Sequence, residues 1–239
     1  MSQTPKTLVI FDVDGTLVYS ETRDSQCFAR TYQTIYGKSF PTIDWNRYPD
    51  VTDTVIFDSV IREHFQRAVD PEEVDIFQHH FVQGLQEMRV ENPQDFRMVP
   101  AARDLVDHLH DDPDMLVGLA TGGWRRPALF KLDYVKVNTE PMYKSFADGK
   151  YTRTAIIGEV LEQVEALAVP IQKVIYIGDA SWDVRTTRAM QMPFVGIRWR
   201  GDHATLQNLG AKQVITDYQD FGAFKKALHL AEPPAQHGG

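Results

Sequence analysis

The stretch Thr7-Leu8-Val9-Ile10-Phe11-Asp12-Val13-Asp14-Gly15-Thr16 decides how the chain is read. From Leu8 to Phe11 it is unbrokenly apolar, as expected of a strand buried on both faces of a sheet. Two carboxylates, Asp12 and Asp14, follow at once, and Gly15 permits the chain to break there. In open α/β sheets ligands bind outside the carboxyl ends of the strands, so acids in this place face a crevice. A simple turn behind an edge strand fits less well, because the run is too apolar for an edge.

The pattern repeats outward from this point. Met115–Ala120 is a second apolar run, and Thr121-Gly122-Gly123 follows it. Val174–Ile177 is a third, followed by Gly178-Asp179-Ala180-Ser181-Trp182-Asp183. Phe194–Ile197 is a fourth, and Met142–Ser145 and Gln213–Ile215 are weaker candidates. Between them lie helical patterns at Ala101–His110, Thr154–Leu167, Asp183–Met190 and Ala223–Leu230. Pro100 suits the entry to the first. Ile156, Ile157, Val160, Leu161, Val164 and Leu167 form the apolar stripe of the second. Strands alternating with helices predict an α/β fold with a doubly wound parallel sheet.

Residues 19–97 break the alternation. No strand pattern appears there, and aromatics recur at helical spacing: Phe28, Tyr32 and Ile35; Phe57, Ile61 and Phe65; Val74, Phe77, Phe81, Leu85 and Met88. Such stripes predict a small helical core. The expected layout is an α/β core from residues 1–18 and 98–231, an inserted α-helical cap over 19–97, and a flexible tail over 232–239.

The composition is that of an ordinary globular chain. Its 239 residues are 43% hydrophobic and 24% charged, with a formal net charge of −8. This balance argues against nucleic acid or an anionic membrane as the main partner. Cys27 is the lone cysteine, so no intrachain disulfide can form, and no apolar run reaches membrane-spanning length. A cytoplasmic monomer or homodimer is the expectation.

Asp12, Asp14, Asp179 and Asp183, with Thr121, gather at three strand ends. Four like charges would raise one another's pKa values unless a counter-ion joins them. A hard divalent cation with oxygen ligands meets that need, and Mg²⁺ beside phosphate is the usual case. The loop after Thr121 offers a hydroxyl and backbone N–H groups to an anion. A Mg²⁺-assisted phosphoryl-transfer site is therefore the reading of the residues themselves.

Asp12-Val13-Asp14-Gly15-Thr16, Thr121, and Gly178-Asp179 with Asp183 resemble motifs one, two and four of the haloacid dehalogenase (HAD) superfamily. The likeness covers nearly the whole chain, and the helical insertion after the first motif resembles that superfamily's type 1 cap, as in phosphoglycolate phosphatases. The resemblance implies a Rossmann-like core and a phosphatase acting through an aspartyl phosphate. Asp12 would be the nucleophile and Asp14 the acid and base. Thr121 and the N–H of Gly122 would hold the phosphoryl oxygens. Asp12, the backbone carbonyl of Asp14 and Asp179 would bind Mg²⁺, with Asp183 a ligand or a partner behind one. A β-phosphoglucomutase-type mutase shares all these residues, and a non-catalytic binding module would have lost some of them.

The family's third motif is a cation, and here the pattern departs. Asp148-Gly149-Lys150-Tyr151-Thr152-Arg153 keeps a Gly-Lys pair without the usual proline. Arg153 falls in the first turn of a helix capped by Thr152, where a cation opposes the helix dipole unless it faces an anion. Arg153 is preferred over Lys150 on that ground, with Lys144 next.

Overall fold

Alternation along the first strand sets the two layers. In a computed structural model, which describes residues 4–20 and 22–236, β1 spans Lys6–Phe11. Leu8 and Ile10 enter one hydrophobic cluster and Val9 and Phe11 the other, as side chains on a strand must. β1 is flanked by β4 (Met115–Ala120) and β6 (Ile171–Gly178), both parallel to it. β5 (Tyr143–Ser145), β7 (Phe194–Ile197) and β8 (Gln213–Ile215) complete a six-stranded sheet in the order β5-β4-β1-β6-β7-β8. Every pairing is parallel, so both faces must be covered. The sheet winds outward in both directions from β1, which places a crevice at the ends of β1, β4 and β6.

One face carries α4 (Ala102–Asp111), α5 (Arg125–Tyr134) and α9 (Phe221–Leu230), through Leu105, Val106, Leu132, Phe224 and Leu228. The other carries α6 (Arg153–Glu165) and α7 (Ser181–Ala189), through Ile156, Ile157, Val160 and Val184. All six expected strands form. Helix α6 starts one residue early because the Thr152 side chain caps it, accepting from the Ala155 N–H at 3.1 Å. It also ends early: Leu167, read as part of its stripe, lies beyond the last turn and is 42% exposed. A short helix at Ala204–Asn208 (α8) had no sequence signal.

The segment between the first two long strands is helical, with α1 (Arg23–Tyr36), α2 (Asp53–Phe65) and α3 (Pro71–Glu91). Two-residue strands β2 (Val18–Tyr19) and β3 (Arg97–Met98) pair antiparallel where the segment leaves and rejoins the sheet. Phe28 of α1 gathers Phe77 at 4.8 Å, Phe81 at 5.4 Å and Trp124 at 5.8 Å, ring centre to ring centre. Trp124 belongs to the loop after β4, so the helices share one apolar cluster with that face of the sheet.

The stretch read as a tail from residue 232 is anchored in part. The Phe194 N–H donates to the Glu232 carbonyl at 3.1 Å and the Ala235 N–H to the Gly210 carbonyl at 2.9 Å. Pro234 is buried, and residues 237–239 lie outside the described residues. Among the described residues no helix is long and apolar enough to cross a membrane.

Candidate active site

The floor of the site is built where β1, β4 and β6 end. Asp12 leaves β1 with its N–H still in the ladder, donating to the Ile177 carbonyl at 3.0 Å, which fixes where its side chain points. The carboxylate is buried: Oδ2 lies 3.3 Å from Arg153 Nη2, and Oδ1 is enclosed without a hydrogen-bond partner. Gly15 has φ +75°, and a Cβ there would collide with the Asp179 carboxylate, so the turn needs glycine twice over.

The loop after β6 is organised by Asp183. Its Oδ2 accepts the N–H groups of Asp179 at 3.1 Å and Ala180 at 3.0 Å, while Oδ1 accepts Arg153 Nη2 at 2.7 Å. Burial pushes the Asp183 carboxyl up to about 7, against the pull of Arg153. The Asp179 carboxyl is pushed well above its ordinary value by burial and by Asp183 and Asp12. Asp12, Asp179 and Asp183 each place a carboxylate oxygen within 4.8 Å of the others.

Arg153 and Lys150 are three residues apart and meet different fates. Arg153, the first residue of α6, is buried against Asp12 and Asp183 and also donates to Tyr176 Oη at 2.9 Å. Tyr176 Oη in turn donates to the Ala120 carbonyl at 2.8 Å, so the guanidinium is held from several sides. The Lys150 ammonium turns away to Glu159 at 2.8 Å and does not join the cluster. Lys144 likewise bonds the Thr139 carbonyl at 2.6 Å and not the acids.

Thr121 is buried at the end of β4 and its Oγ1 accepts the Gly123 N–H at 3.3 Å. The next amides are also engaged: Trp124 N–H donates to Asp53 Oδ2 at 2.8 Å and Arg125 N–H to Asp148 Oδ2 at 2.7 Å. The broader expectation of a run of amides open to an anion is therefore narrowed to Thr121 and Gly122. No Cβ fits at Gly122, which presses against Arg153 and the Val51 carbonyl.

The helices supply the roof. Asp14 points up to Lys131, whose Nζ lies 2.5 and 2.6 Å from its two carboxylate oxygens and 3.6 Å from Asp24 Oδ2 of α1. Lys131 is buried and stays charged between these acids. Burial raises Asp14 to about 7, opposed by Lys131. Burial likewise pushes Asp53, at the start of α2, up to about 7. The resulting cavity of about 90 Å³ brings Asp12, Asp14, Thr121, Gly122 and Arg153 together with Lys131.

Lys131, Asp24 and Asp53 were not anticipated. Lys131 did leave a trace: with Pro127, Ala128 and Leu132 it occupies the buried face of α5, where a lysine is out of place unless paired. Asp24 and Asp53 left none, since acids in a first helical turn are ordinary.

The acids around the cavity outnumber the cations. Asp12, Asp14, Asp24, Asp53, Asp179 and Asp183 face Lys131, Arg153 and, from the loop after β7, Arg198, which donates to the Asp179 carbonyl at 3.4 Å. The oxygen-only donor set of Asp12 and Asp179, with Asp183 beside them, fits a divalent cation.

The chain is similar to several known proteins. The family model for haloacid dehalogenase-like hydrolases matches residues 9–197. A hydrolase from Pseudomonas syringae superposes with a TM-score of 0.66 at 18% identity, over 92% of this chain and 98% of that one. A protein described as a predicted phosphatase from Clostridium acetobutylicum gives 0.62 at 18%, over 95% and 100%. A HAD family hydrolase from Deinococcus radiodurans with bound phosphate and sodium gives 0.56 at 17%, over 98% and 100%. No curated protein matches the chain. Because the family match spans residues 9–197, most of its length, the chain belongs to the haloacid dehalogenase-like hydrolases and is an enzyme.

Proposed function

We propose that the protein is an Mg²⁺-dependent phosphatase of a small phosphorylated metabolite, working through an aspartyl phosphate at Asp12. The observation that carries this is the Asp12 carboxylate, one oxygen steadied by Arg153 and the other buried without a donor. A carboxylate so held is oriented by a cation yet keeps a lone pair for phosphorus.

The Asp12 oxygen attacks phosphorus and the bond to the leaving oxygen breaks. Asp14, with a pKa of about 7, gives that oxygen its proton. The same carboxylate then takes a proton from water, which displaces phosphate and restores Asp12. Near neutral pH both forms of Asp14 are populated, as a group that serves as acid and then base requires. Thr121 Oγ1 and the Gly122 N–H hold phosphoryl oxygens, and Arg153 neutralises charge between Asp12 and the phosphate. Asp12, Asp179 and the Asp14 carbonyl would hold Mg²⁺, while Asp183 ties the loop to Arg153. Bound there, Mg²⁺ supplies positive charge that offsets the phosphoryl oxygens. The helical segment acts as a lid that excludes water and selects the substrate.

The test is phosphate release from a panel of monoesters with Mg²⁺. Chelation should abolish it; turnover unchanged in EDTA would overturn the metal assignment. Asp14→Asn should impair esters with poor leaving groups far more than an activated aryl phosphate in the phosphoenzyme-forming step. Equal loss for both would remove Asp14 from its acid role. Conversion of a sugar phosphate to its isomer without phosphate release would identify a mutase instead.

A further inference from the structure

The inner cavity opens past Asp14 into a second, wider groove of about 560 Å³, in the range that accommodates an organic ligand. The two share Asp14, Asp24, Ser25, Trp45 and Trp182, so a leaving group departing from the phosphoryl site along Asp14 enters the groove. Three of the chain's four tryptophans line it, and each comes from a different element. Trp45 sits in the short turn after α1, Trp182 in the first turn of α7, and Trp199 in the loop after β7. All three are half-buried. At the outer end Tyr19 meets Trp199 edge to face at 5.1 Å, and the Arg200 guanidinium lies 5.0 Å from the Trp199 ring.

We propose that this groove binds a planar aromatic leaving group, so that the substrate is a phosphate monoester of nucleoside type. The proposal rests on the phosphatase reading and specifies its substrate class. Indole faces beside a guanidinium are the surfaces on which flat rings stack. The polar groups are distributed to match. Asp24 and Ser25 stand near Asp14 with Trp45 and Trp182, where a hydroxylated sugar would follow the phosphate, and Tyr19, Trp199 and Arg200 line the part of the groove that the inner cavity does not share. A simple sugar phosphate would fill the first part and leave the Trp199 end unused.

The experiment compares adenosine 5′-monophosphate with ribose 5-phosphate, which has the same phosphorylated carbon and sugar but no ring, in the presence of Mg²⁺. The expected ratio of kcat/KM is roughly tenfold or more in favour of the ring-bearing ester. Trp199→Ala should bring that ratio down towards one through KM, and Trp199→Phe, which keeps a stacking face, should retain most of it. Adenosine alone should quench tryptophan fluorescence of the wild type, and less so in Trp199→Phe. A wild-type ratio of one, or a preference for ribose 5-phosphate, overturns the groove assignment while leaving the phosphatase reading intact. If neither ester nor glycerol phosphate is hydrolysed, the phosphatase reading fails, and absence of the adenosine quench then overturns the groove assignment as well.

Discussion

The floor and the roof of the site are held in different ways. On the floor, Asp12, Arg153 and Asp183 are buried, and Arg153 and Asp183 each engage several fixed partners at the ends of parallel strands. The roof is mostly rings, with Phe28, Phe77 and Phe81 packed around Trp124, and each of its three helices adds polar ties to the floor. Those ties include Asp24 with Lys131, Asp53 with the Trp124 N–H, Thr54, which donates to the Ala147 carbonyl at 2.5 Å, Gln78 with Asp148, and Asp75 with Arg126. Displacements of an ångström cost a reaction dearly, so the reacting groups stand on rigid strands. A layer held largely by apolar packing suits the lid role proposed for it.

The largest expected effect is at the floor. Asp12→Asn should cut phosphate release at least about 10³-fold. It should leave the melting temperature unchanged or raised, because a buried negative charge beside Asp179 and Asp183 is gone. A large drop in melting temperature would make Asp12 a structural residue and erase the distinction between the two layers.

Next comes the pair of neighbouring cations. Arg153→Ala strands the buried Asp183 and Asp12 and should destabilise the fold by about 3–5 kcal/mol, with turnover lost as well. Lys150→Ala breaks only a half-exposed ion pair with Glu159 and should cost under about 1 kcal/mol. Urea melts and initial rates of both variants check this. Comparable losses would mean that helix α6 presents either residue to the site.

Metal binding should be visible without turnover. Mg²⁺ at about 100 times its Kd should stabilise the fold by about 2.7 kcal/mol, read as a rise in melting temperature. Asp179→Asn should largely remove that rise. An undiminished rise in the variant would place the ion elsewhere.

The last effect is a pH dependence and concerns the roof. Asp53 has its folded-state pKa raised to about 7, chiefly by burial, from an ordinary value of 3.8. Between about pH 4 and 7 the folded protein therefore binds a proton that the unfolded chain has released. The associated stability is complete below pH 4 and is lost as pH rises to 7. Asn does not titrate, so the stability of Asp53→Asn relative to wild type should improve steadily from pH 4 to pH 8. Parallel melting curves across that range would show that the Trp124 N–H offsets the burial.

Much of the floor was legible because its logic is local. An apolar strand followed by acids and a glycine says in ten residues that two carboxylates stand at a strand end. The choice of Arg153 over Lys150 also followed from local phase, since Thr152 caps the helix and fixes which residue begins it. The roof was not legible in this way. Lys131 is 117 positions from Asp14, and only the packing of α5 against the sheet end brings them together. Trp182 and Trp199 come to one groove only because β6 and β7 lie side by side. The stretch from Glu232 to Ala235 read as a tail because nothing in its composition announces that Phe194 and Gly210 offer it backbone partners.

The sequence by itself determined the parallel sheet, the helical insertion after β1, and the acids and threonine at three strand ends. Each of these is written in periodicity or in neighbours a few positions apart. Tertiary structure alone decided which cations meet which acids, which amides of the Thr121 loop remain for an anion, and how the tryptophans gather beside Asp14. Those outcomes depend on contacts between residues tens to hundreds of positions apart, whose geometry is set by packing and burial and leaves no regular imprint along the chain.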